Sequence, residues 1–207
     1  MHGFSAKWHE IKKDISMLLA IASFLGEYRN ERTKMDSTYR NLIAFHGHSC
    51  PGLAIGYRMS KAGLDFLSGS RSADEEIIAI VENDACGVDA LQCLSGCTFG
   101  KGNLIFRDYG KHVYTLYDRK SRRAVRVVFN PRNVPDNVAK DREQLINWLL
   151  SAPEEEVVSL KEVQIDEPEP ARVMNSVECA FCGENVMKTR TREINGKPAC
   201  IPCAEKS

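Results

Sequence analysis

Segments of helical periodicity fill the first third of the chain, short strand-like runs occupy its middle, and two Cys-x-x-Cys pairs lie close to its end. These observations predict an α+β protein in which helices pack on a mainly antiparallel sheet, followed by a small four-cysteine zinc finger. Helices gathered ahead of strands argue against a doubly wound parallel sheet. With 207 residues, 43% hydrophobic and 27% charged, the chain is long enough to bury a core, and disorder over most of its length is excluded.

Residues 9–35 return Ile11, Ile15, Leu18, Leu19, Ala22 and Leu25 at helical spacing, which predicts an amphipathic helix. A second helix is expected over 36–45, with Asp36 as its cap. Residues 46–52 form a turn and 53–67 another helix, followed by a loop over 68–74. The unbroken apolar run 77–81 reads as a buried strand. A short helix over 86–95 leads into a glycine-rich turn at 96–103. Strands are expected at 104–107, 112–118 and 124–129, the last two joined by a basic turn, and a helix at 136–150. The acidic stretch 153–170 ends in two closely spaced prolines and reads as an exposed connector. The expected organisation is a core over 1–152, a linker over 153–172 and a finger over 173–207. No internal repeat is visible.

Lys+Arg and Asp+Glu both number 28, so the formal net charge is +0. That balance excludes a broadly basic binder of nucleic acid or anionic membrane and leaves such contact to a local patch. The longest apolar stretch, residues 17–25, is interrupted by Ser23 and too short to cross a bilayer. Lys7, His9 and Glu10, with no small-residue cleavage pattern, argue against a secretory signal. A cytoplasmic protein is expected.

Eight cysteines in a reducing compartment point to metal ligation or thiol chemistry rather than disulfides. Cys179-Ala-Phe-Cys182 and Cys200-Ile-Pro-Cys203, with seventeen residues between them, can converge four thiolates on one tetrahedral ion. Zn2+ is the expected ion, a rubredoxin-like iron site the alternative. Gly183 suits a tight knuckle, and Asn195-Gly196 predicts a hairpin reaching away from the metal. So small a module draws much of its folding free energy from the ion. Its Lys188, Arg190, Arg192 and Lys197 suit either contact with nucleic acid or a solvated hairpin face.

His46-Gly47-His48-Ser49-Cys50-Pro51-Gly52 is the densest chemical motif. Pro51 suits the first turn of the following helix, which puts Cys50 at a helix N-terminus, where the macrodipole lowers a thiol pKa. His48 is placed to share a metal with Cys50 or accept its proton. Cys86 occupies a similar position ahead of its own helix, flanked by Glu82 and Asp89, either of which suits orienting a histidine or acid–base work. A second metal in this core pocket is therefore a candidate. Cys93 on a helix face reads as a small buried hydrophobe. An intact helix holds Cys97 roughly 15 Å from Cys86, so the two share an ion only if a dimer interface relaxes that spacing. Residues 96–103 miss the phosphate-loop pattern, with three residues between glycines and Gly102 after the lysine, and lead into a strand. Lys101 with exposed backbone N–H groups still suits an anion.

Phe45-His46-Gly47-His48-x-Cys50-Pro51-Gly52, Glu82-Asn83-Asp84-x-Cys86-x-Val88-Asp89-Ala90-x-Gln92 and Gly96-Cys97-Thr98-Phe99-Gly100-Lys101-Gly102-Asn103-Leu104, in that order, resemble the FmdE family of formylmethanofuran dehydrogenase components over about residues 40–130. The resemblance implies an α+β core with a metal-capable Cys/His pocket, often in a homodimer, and a C-terminal zinc module of treble-clef type. It also implies a link to the molybdenum or tungsten enzyme that reduces carbon dioxide to the formyl level, of which FmdE is an accessory component. Carried over residue by residue, the site is His46, His48, Cys50, Cys86, Asp89, Cys97 and Lys101. The function expected is a zinc-binding protein whose pocket takes a metal and a small anionic or one-carbon-linked ligand. The rival is a regulatory or adaptor protein whose finger binds nucleic acid or a protein partner.

Overall fold

The computed structural model describes residues 37–69 and 71–206; the expected helix over 9–35 and its neighbour's Asp36 cap lie outside them. The chain divides at Pro168/Glu169 into two compact units.

In the first unit, helix α1 (37–46) runs through a four-residue turn into α2 (Pro51–Phe66). Then come β1 (Ile77–Val81), α3 (Gly87–Ser95), β2 (Leu104–Phe106), β3 (Val113–Asp118) and β4 (Arg123–Phe129). A single 3-10 turn leads to α4 (Asp136–Ala139), α5 (Arg142–Ser151), α6 (Glu154–Val157) and β5 (Val158–Val163). The strands make one sheet in the order β2-β1-β3-β4-β5. Only β1 and β2 are parallel, joined through α3; the other neighbours are antiparallel. This is the expected helices-on-antiparallel-sheet core.

Strand periodicity sorts the sheet's two faces. Ala79, Val81, Tyr114, Leu116, Val125 and Val127 join the main core with α2. Ile78, Tyr117 and Ala124 face the other way and pack with Ile105, Val163 and Ile165. Buried on both faces, β1 has no polar position, which is why its sequence is unbroken apolar.

α2 and α3 cross at glycines. A Cβ at Gly56 would lie 2.2 Å from the Gly87 carbonyl oxygen, and one at Gly87 would lie 2.6 Å from the Tyr114 hydroxyl and 3.0 Å from the Gly56 Cα. Backbone approaches backbone here because neither residue has a side chain, and the two helix N-termini are drawn together.

Two expectations need correction. The single helix over 136–150 is two helices, because Asp141 caps α5 by accepting from the Gln144 N–H and so restarts the helix. The acidic stretch expected as a connector supplies α6 and edge strand β5 instead. Its charges obscure Val157, Val158 and Leu160, which pack into the main core, while Glu162, further along the same face of the strand, pairs with Arg123.

The second unit begins with the short antiparallel pair β6 (Ser176–Glu178) and β7 (Asn185–Met187), which carries the first Cys pair in its turn. A 3-10 turn then leads to the hairpin β8 (Thr191–Ile194) and β9 (Lys197–Cys200), closed by Asn195 and Gly196 at φ 50° and 74° as its sequence predicts. Helix α7 (Ile201–Ala204) carries the last cysteine. The second pair thus opens a helix, as in a treble clef, rather than a second hairpin turn. Among the described residues, no helix is long and apolar enough to cross a membrane.

Candidate functional site

All eight cysteines are described and none is disulfide-bonded. In the C-terminal unit the sulfurs of Cys179, Cys182, Cys200 and Cys203 lie within 4.8 Å of one another. A tetrahedral Zn2+ with Zn–S of about 2.3 Å sets its sulfurs about 3.8 Å apart, and Cys182 and Cys200 are at 3.9 Å. Gly183, at φ 74°, supplies the left-handed residue that tightens the first knuckle. The Cys200 N–H donates to Cys179 Sγ at 3.2 Å and, with other backbone donors, draws that thiol down to about 6. Hydrogen bonding to Cys200 and crowding by the other thiols push Cys203 up to about 12. Four thiols this close resist losing their protons in turn, and a bound dication removes that penalty. The donor set fits zinc, and this unit is a four-cysteine zinc finger.

The core site is built at the turn between α1 and α2. His46 ends α1. Gly47, at φ 95°, donates its N–H to the Ile43 carbonyl and reverses the chain. His48 therefore folds back beside His46, with ring centroids 4.7 Å apart. The turn is held from two sides: Tyr39 Oη and Ser49 Oγ lie 3.0 Å apart, and Arg142 of α5 donates to the Ser49 carbonyl at 2.9 Å. Cys50 caps α2 by accepting the Leu53 N–H on its sulfur, with Pro51 behind it as the sequence predicts.

One ligand atom from each of His46, His48 and Cys50 lies within a 4.8 Å span. His46 Nδ1 is 2.7 Å from Asp89 Oδ2. The carboxylate accepts, so Nδ1 carries the hydrogen and the Nε2 lone pair faces Cys50 Sγ, 3.8 Å away. A shared tetrahedral zinc would set that pair about 3.6 Å apart. Gln92 Nε2 donates to the other Asp89 oxygen at 3.3 Å and steadies the orienting carboxylate. A carboxylate behind a histidine is the usual outer support of a metal ligand.

Cys86 is brought to this cluster by the glycine crossing. A Cβ on Gly52 would sit 3.7 Å from Cys86 Sγ and 3.9 Å from Cys50 Sγ, so the two thiols border one small space. Asn83 prepares the approach: its Oδ1 accepts the Ala85 N–H, and its Nδ2 donates to the Lys111 carbonyl. Desolvation, together with the Cys50 thiol, pushes Cys86 up, the opposite of what its place at a helix start leads one to expect.

A cleft of about 420 Å³ opens beside the cluster. His46, Asn83, Cys86, Asp89 and Gln92 give it a polar side, and Val81, Val88, Leu104, Phe99 and Phe106 an apolar one. Phe99 is 78% exposed and Phe106 44%, unusual for aromatic side chains. Asp84 also lines it, and among the described residues no Lys or Arg does.

Of the seven core residues expected in one site, five meet: His46, His48, Cys50, Cys86 and Asp89. Cys97 does not. It is fully buried and its Sγ donates to the Ile77 carbonyl at 3.2 Å, a packing role. Lys101 does not either. Its Nζ donates to the carbonyls of Ser72, Ala73 and Asp74 and pins the loop before β1. Glu82 is occupied by a two-pronged pair with Arg126 rather than by acid–base work. The sequence reading missed the roles of Gln92, Phe99 and Phe106; a large apolar ring inside a glycine-rich turn was the available signal for Phe99.

Comparison with known proteins places this geometry. The family model described as "FmdE, Molybdenum formylmethanofuran dehydrogenase operon" matches residues 45–159. The model "Prokaryotic dksA/traR C4-type zinc finger" matches residues 175–207. A protein of Archaeoglobus fulgidus named "Probable S-adenosyl-L-methionine-binding protein" is 31% identical over 207 residues, covering 86% of this chain and 55% of the relative, so the chain spans about half of that protein's length. The crystal structure of a tungsten formylmethanofuran dehydrogenase FmdE-like protein from Syntrophus aciditrophicus superposes with TM-score 0.65 at 24% identity, covering 84% of this chain and 93% of that one. It has the same fold.

Proposed function

Because the chain belongs to the FmdE family, we propose that its core holds a transition-metal ion on His46, His48 and Cys50 and offers it to a small ligand in the adjoining cleft. The observation that carries this reading is the three-ligand cluster with Asp89 behind His46. Three protein ligands leave a fourth position on a tetrahedral ion, and such an ion binds and polarises a ligand oxygen. With no Lys or Arg among the described residues that line the cleft, an anionic or one-carbon-linked ligand is held by the ion rather than by Lys101. Asp89 keeps His46 in the ligating tautomer. The family's description ties it to a molybdenum formylmethanofuran dehydrogenase operon, and in the reading proposed here the chain serves such an enzyme as an accessory component and acts as a homodimer.

The test is elemental analysis of the full chain, purified without chelators. Two ions per chain are expected, falling to one in Cys50→Ala and in His48→Ala. One ion in the unaltered chain, unchanged in both variants, overturns the reading.

The cleft lining favours a second reading of the ligand. Exposed Phe99 and Phe106 suit a flat ring, while Asp84 and the lack of a lining Lys or Arg among the described residues suit a positively charged group. The A. fulgidus relative's name supports S-adenosyl-L-methionine, whose adenine is flat and whose sulfonium is cationic. Equilibrium dialysis should show it retained by the chain and lost with Phe99→Ala; no retention by the unaltered chain excludes it.

A further inference from the structure

Cys50 and Cys86 carry a chemistry that metal ligation does not use. We infer that the two form a thiol–disulfide exchange pair, with Cys86 as the attacking thiol, Cys50 as the resolving one, and a low-molecular-weight disulfide as the oxidant. The inference rests on the metal-site reading only for its consequence, since an oxidised Cys50 is no longer a ligand.

Four observations support the pair. Both sulfurs lie within 4 Å of one point above Gly52. Cys86 is exposed and lines the cleft, so a small disulfide reaches it, whereas Cys50 is buried behind it at 7% exposure. The Cys86 side chain caps nothing, so its capture costs the fold no hydrogen bond. His46 Nε2, 3.8 Å from Cys50 Sγ, is placed to take that thiol's proton. Cys97 has no such access, being buried and bonded to the Ile77 carbonyl.

The exchange balances. The Cys86 thiolate attacks one sulfur of the small disulfide, breaking its S–S bond and releasing one thiolate, which takes up the proton Cys86 gave up. Cys50, its proton passed to His46, attacks Cys86 Sγ in the mixed disulfide and releases the second small thiolate, which takes that proton from His46. Two protein thiols are oxidised to one disulfide, and the small disulfide is reduced to two thiols.

The experiment uses the full chain, stripped of metal under reducing conditions and then exposed to oxidised glutathione. Cleavage before Asp84 and Asp89 isolates Cys86 from Cys93 and Cys97. The expected product is that short peptide linked to the one carrying Cys50, two hydrogens lighter than the reduced pair, and absent in Cys86→Ala. Glutathione persisting on Cys86 with Cys50 unlinked overturns the inference. Zinc added beforehand should slow the link in a chain that holds two ions. Equal rates in a chain that holds only one ion sink the metal-site reading and leave the exchange pair standing; no link in a chain that holds two sinks the pair and leaves the metal site.

Discussion

Asp89 touches no proposed ligand except His46, yet it sets which nitrogen of that ring is available. Asp89→Asn keeps the shape and removes the charge. It should weaken the core ion by about 10–100-fold while the finger's ion stays, which competition against a chromophoric chelator measures; equal loss at both sites would mean general unfolding instead. Glu76 tests the loop ahead of β1. Its carboxylate accepts from Ser72 Oγ at 2.6 Å and from the Asp74 N–H at 2.9 Å, and these bonds lower it from 4.5 to about 2. A carboxyl lowered by folding stabilises the protein above its unfolded value, and that contribution is lost as pH falls from 4.5 towards 2. Glu76→Gln should therefore lower denaturation midpoints at pH 7 and converge with the unaltered chain near pH 2. At this scale the sequence identified residue types well and partners poorly. Histidines two positions apart beside a cysteine announce a site from local spacing alone. Lys101 looked like an anion contact because its acceptors, the carbonyls 27 to 29 residues away, are set by tertiary folding.

The junction of α2 and α3 determines whether the two thiols meet. In Gly56→Ala the new methyl runs into a backbone carbonyl rather than a side chain that could swing aside. The helices must separate, at a cost of about 1–3 kcal/mol, and Cys50 and Cys86 should no longer cross-link. Chemical denaturation and peptide mapping read the two effects; an unchanged midpoint with the link intact would show that the crossing tolerates a side chain. β5 shows where element-level reading failed. Average composition made 153–170 a connector, but Val158 and Leu160 alternate on one face of the strand and Val163 lies on the other, with Lys161 and Glu162 between them. Charge on the outer side of an edge strand protects it from pairing with another chain, and here it disguised a strand. The strands β1 to β4 were legible because their apolar runs were less diluted.

For the whole molecule, the two units should part company under a strong chelator. Among the finger's described residues the buried apolar side chains are Cys179, Ala199 and Cys200, so its amide signals should collapse to random-coil positions while those of the sheet persist. Simultaneous loss of both sets would show that the finger supports the core. The overall plan, α+β core plus finger, was legible because cysteine spacing and helical periodicity are local signals. The cleft was not, because Phe99, Phe106 and Gln92 reach it from three separate elements. The Arg142 contact to the Ser49 carbonyl has a consequence in time. Asp89 follows His46 by 43 residues, and Arg142 follows Ser49 by 93. A nascent chain leaving the ribosome thus presents its histidines and thiol long before the groups that aim and brace them. For the metal site proposed above, selection of an ion by geometry then waits until Asp89 and α5 have docked, and an ion captured earlier is expected to stay exchangeable until that point.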